Sequence, residues 1–227
     1  MDAHVHLWDP ALFAYPWLDG IPALQRPFAM HDYPGLGRDD ARAVDAVVVV
    51  EANVDAGREA SRRRGSSRSR AMIVDSRGSW RSSTCLTPSP ASGPSGGSSA
   101  TVTSWGAPQH PGHPPGYATH AAFVNGVRML AVSDFPFDLC ITASQLAEVT
   151  ALVKRCPEIR FILDHCGKPD IARGSFDEWR HRIDALAEFD TVCCKLSGSS
   201  PRPVWAMRRR HLRPYVKHVV EAFGPRA

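Results

Sequence analysis

The sequence predicts an α/β fold, an incomplete or distorted (β/α)8 TIM-type barrel with a disordered low-complexity segment. Outside residues 57–116, short apolar runs alternate with stretches of helical periodicity, as strands and helices do in α/β domains. The apolar runs are typical of strands buried on both faces, which implies a parallel sheet. A count of about seven candidate strands favours a closed barrel over an open sheet.

The composition is that of a globular protein. Of the 227 residues, 43% are hydrophobic and 22% are charged, which excludes a wholly disordered or fibrous chain. No apolar run reaches the roughly 18 residues of a membrane span, and the polar start Met1–His4 is unlike a signal peptide, so we expect a cytoplasmic protein without a membrane partner. The six cysteines contain no CxxC pair and are expected to be reduced core thiols.

Composition divides the chain into three regions. Residues 1–56 are predicted to form the first βα part of the barrel, and residues 123–227 its remaining βα units, with the last strand missing. Between them, residues 57–122 form the low-complexity segment. Ser, Gly, Arg and Pro supply 38 of the 60 residues from Gly57 to Gly116, too little apolar surface to offset the entropy of ordering. The segment is expected to be disordered, as a frameshift product or as a genuine insertion.

The elements follow in order along the chain. Asp2–His6 is the first predicted strand, and Ala46–Val50, with four successive valines, is a strand buried on both faces. Weaker strands are predicted at Val127–Leu130 and Leu139–Ile141. The eight residues 131–138 between the last two are fewer than the roughly 10–12 that a helical crossover needs. At least one helix of a regular barrel is therefore expected to be missing.

Helix and strand alternate clearly in the last third of the chain. A helix is predicted from Ser144 to the Cys156-Pro157 pair, followed by the strand Ile159–Leu163. Ser175 and Glu178 form a capping-box pattern that opens a second helix, followed by the strand Val192–Leu196. A final helix is predicted to place five apolar residues on one face: Leu212, Val216, Val219, Val220 and Phe223.

Two histidines on the first strand are the strongest signal for chemistry. Alternate residues of a strand share a face, so His4 and His6 are expected to point the same way. Two imidazoles placed in this way can share one metal ion, with zinc as the first choice. A chance pair of surface histidines is the alternative.

Further polar residues follow predicted strands. Asp164 and His165 come where a buried strand runs into a glycine-containing loop, and in parallel barrels such rims form sites, although capping of the loop is equally consistent. Lys195 and Glu51 stand at two other strand ends, where a solvated lysine and a turn cap are the alternatives. Arg128 would need an anionic partner such as a substrate carboxylate if it faces the interior, and none if it faces outward.

Several segments together resemble the amidohydrolase-related hydrolases of the fuconolactonase and pyrone-dicarboxylate lactonase group. The matching segments, which cover most of residues 1–57 and 123–227, are DAHVHLWDP, VVVVEANVDAG, GVRML, FDLCI, QLAEVTALVKRCP, RFILDHCGKPDI, CCKLSG and LRPYVKHVVEAFGP. The resemblance implies a distorted (β/α)8 barrel that hydrolyses a lactone or similar cyclic ester or amide. It implies that His4, His6 and His165 bind a divalent metal or polarise the carbonyl directly, that His165 is catalytic, and that Arg128 binds substrate. Both a zinc-dependent and a metal-free site are open, because some members work without metal.

The chain also departs from this group. The resemblance implies an aspartate on a final strand that activates water, and this sequence stops at Ala227 without it. Loss of a general base typically costs about 10²–10⁴ in rate, so we expect impaired hydrolysis of a small-molecule lactone, which could carry a carboxylate. The alternatives are an inactive truncated or frameshifted barrel remnant and, third, a weak nucleic-acid binder that uses the serine- and arginine-rich segment.

Overall fold

The computed structural model describes residues 2–33, 46–50, 52, 72–75, 80–81, 115–133, 136–197 and 209–227. The chain divides into two units. The first unit comprises Met1–Ser83 and Gly96–Ser104, and the second comprises Thr84–Ser95 and Trp105–Ala227. None of the described helices is long and apolar enough to cross a membrane.

The first unit is built on a mixed sheet with the strand order β1-β2-β3-β4. Strand β1 (Asp2–His6) runs parallel to β2 (Ala46–Val50), and His6 pairs with Val50 at their carboxyl ends. Val5 and Val47 are buried between the sheet and partly buried neighbours such as Met30, because alternate strand residues share the core face. Both strands were predicted from the sequence, and the structure confirms them.

Part of the segment that was predicted to be disordered forms strands. β3 (Met72–Asp75) pairs antiparallel with β2, and β4 (Trp80–Arg81) pairs antiparallel with β3. The run Met72–Val74 is apolar and β-branched in part, which supplies the local strand preference that the composition of the whole segment concealed. Most of the remaining segment lies outside the described residues.

The second unit contains a parallel three-stranded sheet with the order β5-β6-β7. Its strands are β5 (Phe137–Leu139), β6 (Phe161–Leu163) and β7 (Val192–Cys194), and all nine residues are buried. Phe137, Phe161 and Val192 are in register, so the three carboxyl ends lie side by side. All three strands overlap predicted ones, and the parallel pairing was expected from their uniform apolarity.

The described residues of the second unit also form four helices: α1 (Ala121–Arg128), α2 (Leu146–Arg155), α3 (Phe176–Ala187) and α4 (Arg209–Phe223). Helix α2 ends before Pro157, as predicted, because proline disfavours helical backbone in the residue before it. Helix α3 also begins where expected, but Ser175 makes no side-chain cap hydrogen bond. Asp177 and Glu178 instead favour the start of α3 by placing negative charge in its first turn.

The strand predicted at Val127–Leu130 is wrong. Residues up to Arg128 belong to α1, and Met129–Ser133 form a 3-10 helix. Val124 and Val127 are buried at a spacing of three residues, which suits one face of a helix and places Gly126 on the exposed side. Residues 131–138 therefore do not join two strands, and the inference of a missing helix at this point is wrong as well.

The buried face of α4 also differs from the prediction. Tyr215, Val219 and Phe223 are buried and repeat every four residues, whereas Val216 and Val220 are 45% and 46% exposed. The face predicted from the sequence included Val216 and Val220 because these valines flank Val219 on the helix. Aromatic contacts determine which face of α4 is buried, because Tyr215 packs against Phe176 and Trp179 of α3.

The α/β class is confirmed, although the strands of the described residues form two separate sheets rather than a closed ring. The expectation of reduced cysteines holds for Cys140, Cys156, Cys166 and Cys194, which are free thiols. It is wrong for Cys193, which is disulfide-bonded. Adjacent strand residues point to opposite faces, so Cys193 and Cys194 have different surroundings.

Candidate active site

The histidine pair of β1 forms the candidate site of the first unit. His4 and His6 point the same way, as the strand pattern predicted, and their Nε2 atoms lie 3.1 Å apart. The two rings meet edge to face with their centroids 4.7 Å apart. Two imidazole nitrogens therefore converge on one point beside the carboxyl end of a parallel strand.

The backbone fixes which nitrogen of His6 can act as a ligand. Nδ1 of His6 lies 3.1 Å from the carbonyl oxygen of Val50, its register partner on β2. A carbonyl oxygen accepts hydrogen bonds and does not donate them, so Nδ1 carries the proton and Nε2 of the neutral ring carries the lone pair. The same arrangement orients most histidines that bind metals.

The geometry of the pair fits a metal ion. Two nitrogens bound to tetrahedral zinc at about 2.0–2.1 Å lie roughly 3.3–3.4 Å apart, close to the separation observed between the two Nε2 atoms. The start of the strand is held by Asp2, whose carboxylate accepts from the backbone N–H of His4 at 3.1 Å and from the Tyr33 hydroxyl at 2.9 Å. Burial and this carboxylate raise the pKa of Tyr33, so its hydroxyl stays protonated and able to donate.

Three charged side chains meet at the carboxyl ends of the parallel strands in the second unit. Lys195, directly after β7, places Nζ 3.0 Å from Oδ2 of Asp138 on β5 and 2.9 Å from Oδ1 of Asp164, directly after β6. The side chains are 7%, 0% and 1% exposed, respectively. The parallel register explains the meeting, because it brings the ends of the three strands side by side. We call these residues the buried charge cluster.

Asp164 and Lys195 were each predicted from the sequence as polar residues at strand ends, whereas Asp138 was not. The available signal was a lone carboxylate inside the apolar run Phe137–Ile141, since a charge buried in a strand requires a partner of opposite sign. Burial by itself would lower the pKa of Lys195, but the two carboxylates outweigh it and raise that pKa above the usual value. Lys195 is therefore a cation at neutral pH and cannot act as a base there.

A left-handed turn follows β6 and carries His165. The φ angles of His165, Cys166, Gly167 and Lys168 are 55°, 54°, 65° and 46°. Left-handed backbone costs roughly 1–2 kcal/mol for each residue other than glycine, so the turn persists because its surroundings hold it. Trp179 donates to the carbonyl of Cys166 at 2.9 Å, and the N–H of Cys166 donates to the carbonyl of Lys195 at 3.2 Å.

The His165 ring is oriented by the chain segment that follows β7. Its Nδ1 lies 2.9 Å from Oγ of Ser197. A ring nitrogen of His165 and a carboxylate oxygen of Asp164 lie within 4.8 Å of each other, a separation that a shared cation can bridge. With Nδ1 engaged by Ser197, Nε2 is the atom through which His165 would bind a metal or a carbonyl oxygen.

The structure changes the expectation for Arg128. It lies in the last turn of α1, not on an interior strand, and its side chain is 49% exposed. Its guanidinium donates to the carbonyl of Arg155 at 2.6 and 3.2 Å and lies 3.6 Å from Glu158. These contacts suit the capping of a helix carboxyl end. A role in substrate binding stays a prediction.

The remaining predicted residues belong to different units or fall outside the described residues. His4 and His6 belong to the first unit and His165 to the second, so the convergence of the three stays a prediction. Glu51 and most of the arginines proposed for nucleic-acid binding lie outside the described residues. The structure adds Lys168, whose ammonium donates to the thiol of Cys140 at 3.1 Å. Burial raises the pKa of that thiol although the lysine opposes the shift.

Comparison with known proteins places the chain in a family. The profile of the amidohydrolase family matches residues 106–227, which is more than half of the chain. The chain therefore belongs to the amidohydrolase family, as its motifs predicted.

The chain is similar to particular members as well. It is 34% identical over 96 residues to an L-fucono-1,5-lactonase of Burkholderia ambifaria, a match that covers 40% of this chain and 31% of the lactonase. The chain thus spans about a third of the length of this curated relative. An amidohydrolase 2 from Bifidobacterium longum subsp. infantis superposes with a TM-score of 0.64 at 25% identity, covering 99% of this chain and 79% of the other.

A solved structure also shares the fold at lower identity. An amidohydrolase from Burkholderia multivorans, determined with bound zinc, superposes with a TM-score of 0.65 at 23% identity. The match covers 99% of this chain and 80% of that protein. Both structural likenesses agree with the α/β class predicted from the sequence.

Proposed function

We propose that this chain is a lactone hydrolase that uses His4, His6 and His165 as metal-binding or carbonyl-polarising groups. The observation that carries the proposal is the paired geometry of β1, in which Nε2 of His4 and Nε2 of His6 lie 3.1 Å apart. The Val50 carbonyl, which orients His6, adds to it. The similarity to a lactonase and to an amidohydrolase that binds zinc supports the reaction class and the metal.

The chemistry follows from the histidines. A divalent metal, with zinc the first choice, would polarise the lactone carbonyl and lower the pKa of a bound water. His4 and His6 would hold it through Nε2, with Nδ1 of His6 kept protonated by Val50. His165, held by Ser197 through Nδ1, would direct Nε2 at the metal or at the carbonyl oxygen, where negative charge develops as water attacks. In a metal-free site the same three imidazoles would stabilise that charge as hydrogen-bond donors. For His6, whose Nδ1 proton is bonded to Val50, this would require the imidazolium form with a second proton on Nε2.

The proposed substrate is a 1,5-lactone of a sugar acid, by analogy with the L-fucono-1,5-lactonase relative. Water attacks the ring carbonyl, the bond between the carbonyl carbon and the ring oxygen breaks, and the ring oxygen takes a proton to give a hydroxy acid. The acid ionises at neutral pH, so each turnover releases one proton. The impaired rate expected from the sequence stays a prediction.

The test is hydrolysis of L-fucono-1,5-lactone and related sugar lactones by the purified chain, followed with a pH indicator, with and without zinc. Spontaneous ring opening is subtracted. We expect hydrolysis that His6→Ala and His165→Ala each lower at least tenfold, whereas His31→Ala, whose side chain is 84% exposed, leaves it unchanged. Equal rates in His165→Ala and the unsubstituted chain would refute the assignment. Absence of hydrolysis under all conditions would favour the inactive remnant.

A further inference from the structure

The buried charge cluster has no direct part in the reaction proposed above, yet it lies beside the residue that carries His165. Lys195 binds both Asp138 and Asp164, and Asp164 immediately precedes His165. We propose that Lys195 is a positioning residue, which fixes the left-handed turn and thereby the orientation of the His165 ring. The inference rests on the proposed function only for the role of the His165 ring in binding a metal or polarising a carbonyl.

Contacts link the lysine to the ring from two directions. The Lys195 ammonium holds the Asp164 carboxylate at 2.9 Å, at the point where β6 ends and the turn begins. The Lys195 backbone accepts from Cys166 N–H at 3.2 Å and donates to the carbonyl of Leu163 at 2.8 Å. The residues on both sides of His165 are therefore bonded to Lys195.

The same chain segment also reaches the ring itself. Ser197, two residues after Lys195, contacts Nδ1 of His165 at 2.9 Å. The position of Ser197 relative to the ring depends on how the segment after β7 sits against the turn, and the lysine bridge sets that arrangement. Asp138 extends the bridge to β5, so the ends of all three strands are held together.

Charge and burial argue against a purely stabilising role. Two carboxylates and one ammonium lie together in a place where each side chain is at most 7% exposed. Desolvation makes such clusters poor sources of stability, and apolar residues of similar volume often serve a fold equally well. The Asp164 carboxylate, within 4.8 Å of a ring nitrogen of His165, is instead suited to a site that holds a cation or a protonated imidazole.

The test observes the ring directly, by long-range proton–nitrogen NMR of imidazole nitrogens in the full chain without substrate. His165→Gln assigns the His165 signals by their loss. In the unsubstituted chain we expect one fixed set of His165 nitrogen signals, which reports a single ring orientation. Lys195→Met should lose this set of signals, as Ser197→Ala should. Lys154→Met, which removes an exposed lysine of α2, is the matched control and should leave the pattern unchanged.

Each outcome decides between positioning and simple stabilisation. If Lys195→Met lowers the melting temperature but leaves the His165 signals unchanged, the proposal is overturned. If Lys195→Met does not fold, Asp138→Asn decides, because it keeps the shape and an acceptor oxygen while weakening the bridge. We then expect changed His165 signals, and unchanged ones overturn the proposal. The measurement needs no turnover, so a chain that hydrolyses no lactone contradicts the proposed function and leaves this test intact.

Discussion

Lys195 shows how a single side chain can connect three strand ends in the second unit. Its ammonium is the shared partner of the Asp138 and Asp164 carboxylates, which are themselves buried. Removing one partner from such a buried group typically costs about 3–5 kcal/mol, because the remaining charges lose their compensation. The titration of Lys195 must therefore be linked to the stability of the fold.

The raised pKa of Lys195 predicts a loss of stability at alkaline pH. Burial opposes the shift, but the two carboxylates raise the folded-state pKa above that of the unfolded chain. The folded state then binds more protons than the unfolded state, so the lysine's contribution is fully present below an ordinary lysine pKa of about 10.4 and is lost as pH rises through the folded value.

Urea unfolding at a series of alkaline pH values measures this effect. The free energy of unfolding of the unsubstituted chain and of Lys154→Met should fall with rising pH more steeply than that of Lys195→Met. Parallel curves for Lys195→Met and Lys154→Met would contradict the shifted pKa.

Position 167 requires glycine because its backbone is left-handed and because a larger side chain would contact Leu146 too closely. Its φ of 65° lies in the left-handed region, and a Cβ added there would lie 3.0 Å from Cδ2 of Leu146, which is fully buried. We expect Gly167→Ala to destabilise the chain by about 1–3 kcal/mol, through strain and overpacking. Gly126→Ala is the control, because Gly126 lies on the exposed face of α1 with no atom within 4 Å of its Cβ position. Chemical unfolding should show a gain of about 0.5–1 kcal/mol for Gly126→Ala, since alanine favours helix.

At the scale of elements, the sequence predicted strands and helices most accurately where the length of a segment, its apolar pattern and its boundary residues agreed. The four-valine strand and the end of α2 before Pro157 are such places. The strand predicted at Val127–Leu130 was wrong because four residues of mixed polarity are too few to show a strand or helix period. The helical spacing of the buried residues Val124 and Val127 can be recognised only over the full length of α1.

Like the fold, the candidate site was predicted from the sequence only where local pattern determines it. The alternation of His4 and His6 on a strand is a local property, so the sequence alone placed their rings together. The meeting of Asp138 with Lys195 depends on the register of strands that lie 57 residues apart, and no local pattern encodes it. The left-handed turn at His165 was also unforeseen, because three of its four residues are not glycine.

The buried face of α4 supplies a test at this scale. Val219 is fully buried, whereas Val216, three residues earlier on the same helix, is 45% exposed. We expect Val219→Ala to lower the free energy of unfolding by about 1.5–3 kcal/mol, because it removes apolar contacts and leaves a cavity. Val216→Ala should change it by no more than about 0.5 kcal/mol in urea unfolding. Equal losses would show that the face predicted from the sequence, with both valines buried, was the right one.

At the scale of the whole molecule, zinc binding tests the proposal that the histidines of both units act on one ion. A metal that binds the folded state stabilises it by about 2.7 kcal/mol when its free concentration is 100 times its dissociation constant. His4 and His6 lie in the first unit and His165 in the second, so the effect of each histidine on this stabilisation reports whether the units share the ion.

Zinc should therefore raise the melting temperature of the chain, and His6→Ala should abolish most of the rise, because one of the two paired Nε2 atoms is lost. His31→Ala, which removes an exposed histidine of the first unit, should retain the rise in full. If the three histidines converge, His165→Ala will reduce the rise as well; a rise that survives His165→Ala confines the ion to the first unit. Thermal unfolding with and without zinc checks these outcomes, and a rise that His6→Ala leaves intact would rule out the histidine pair as the zinc site.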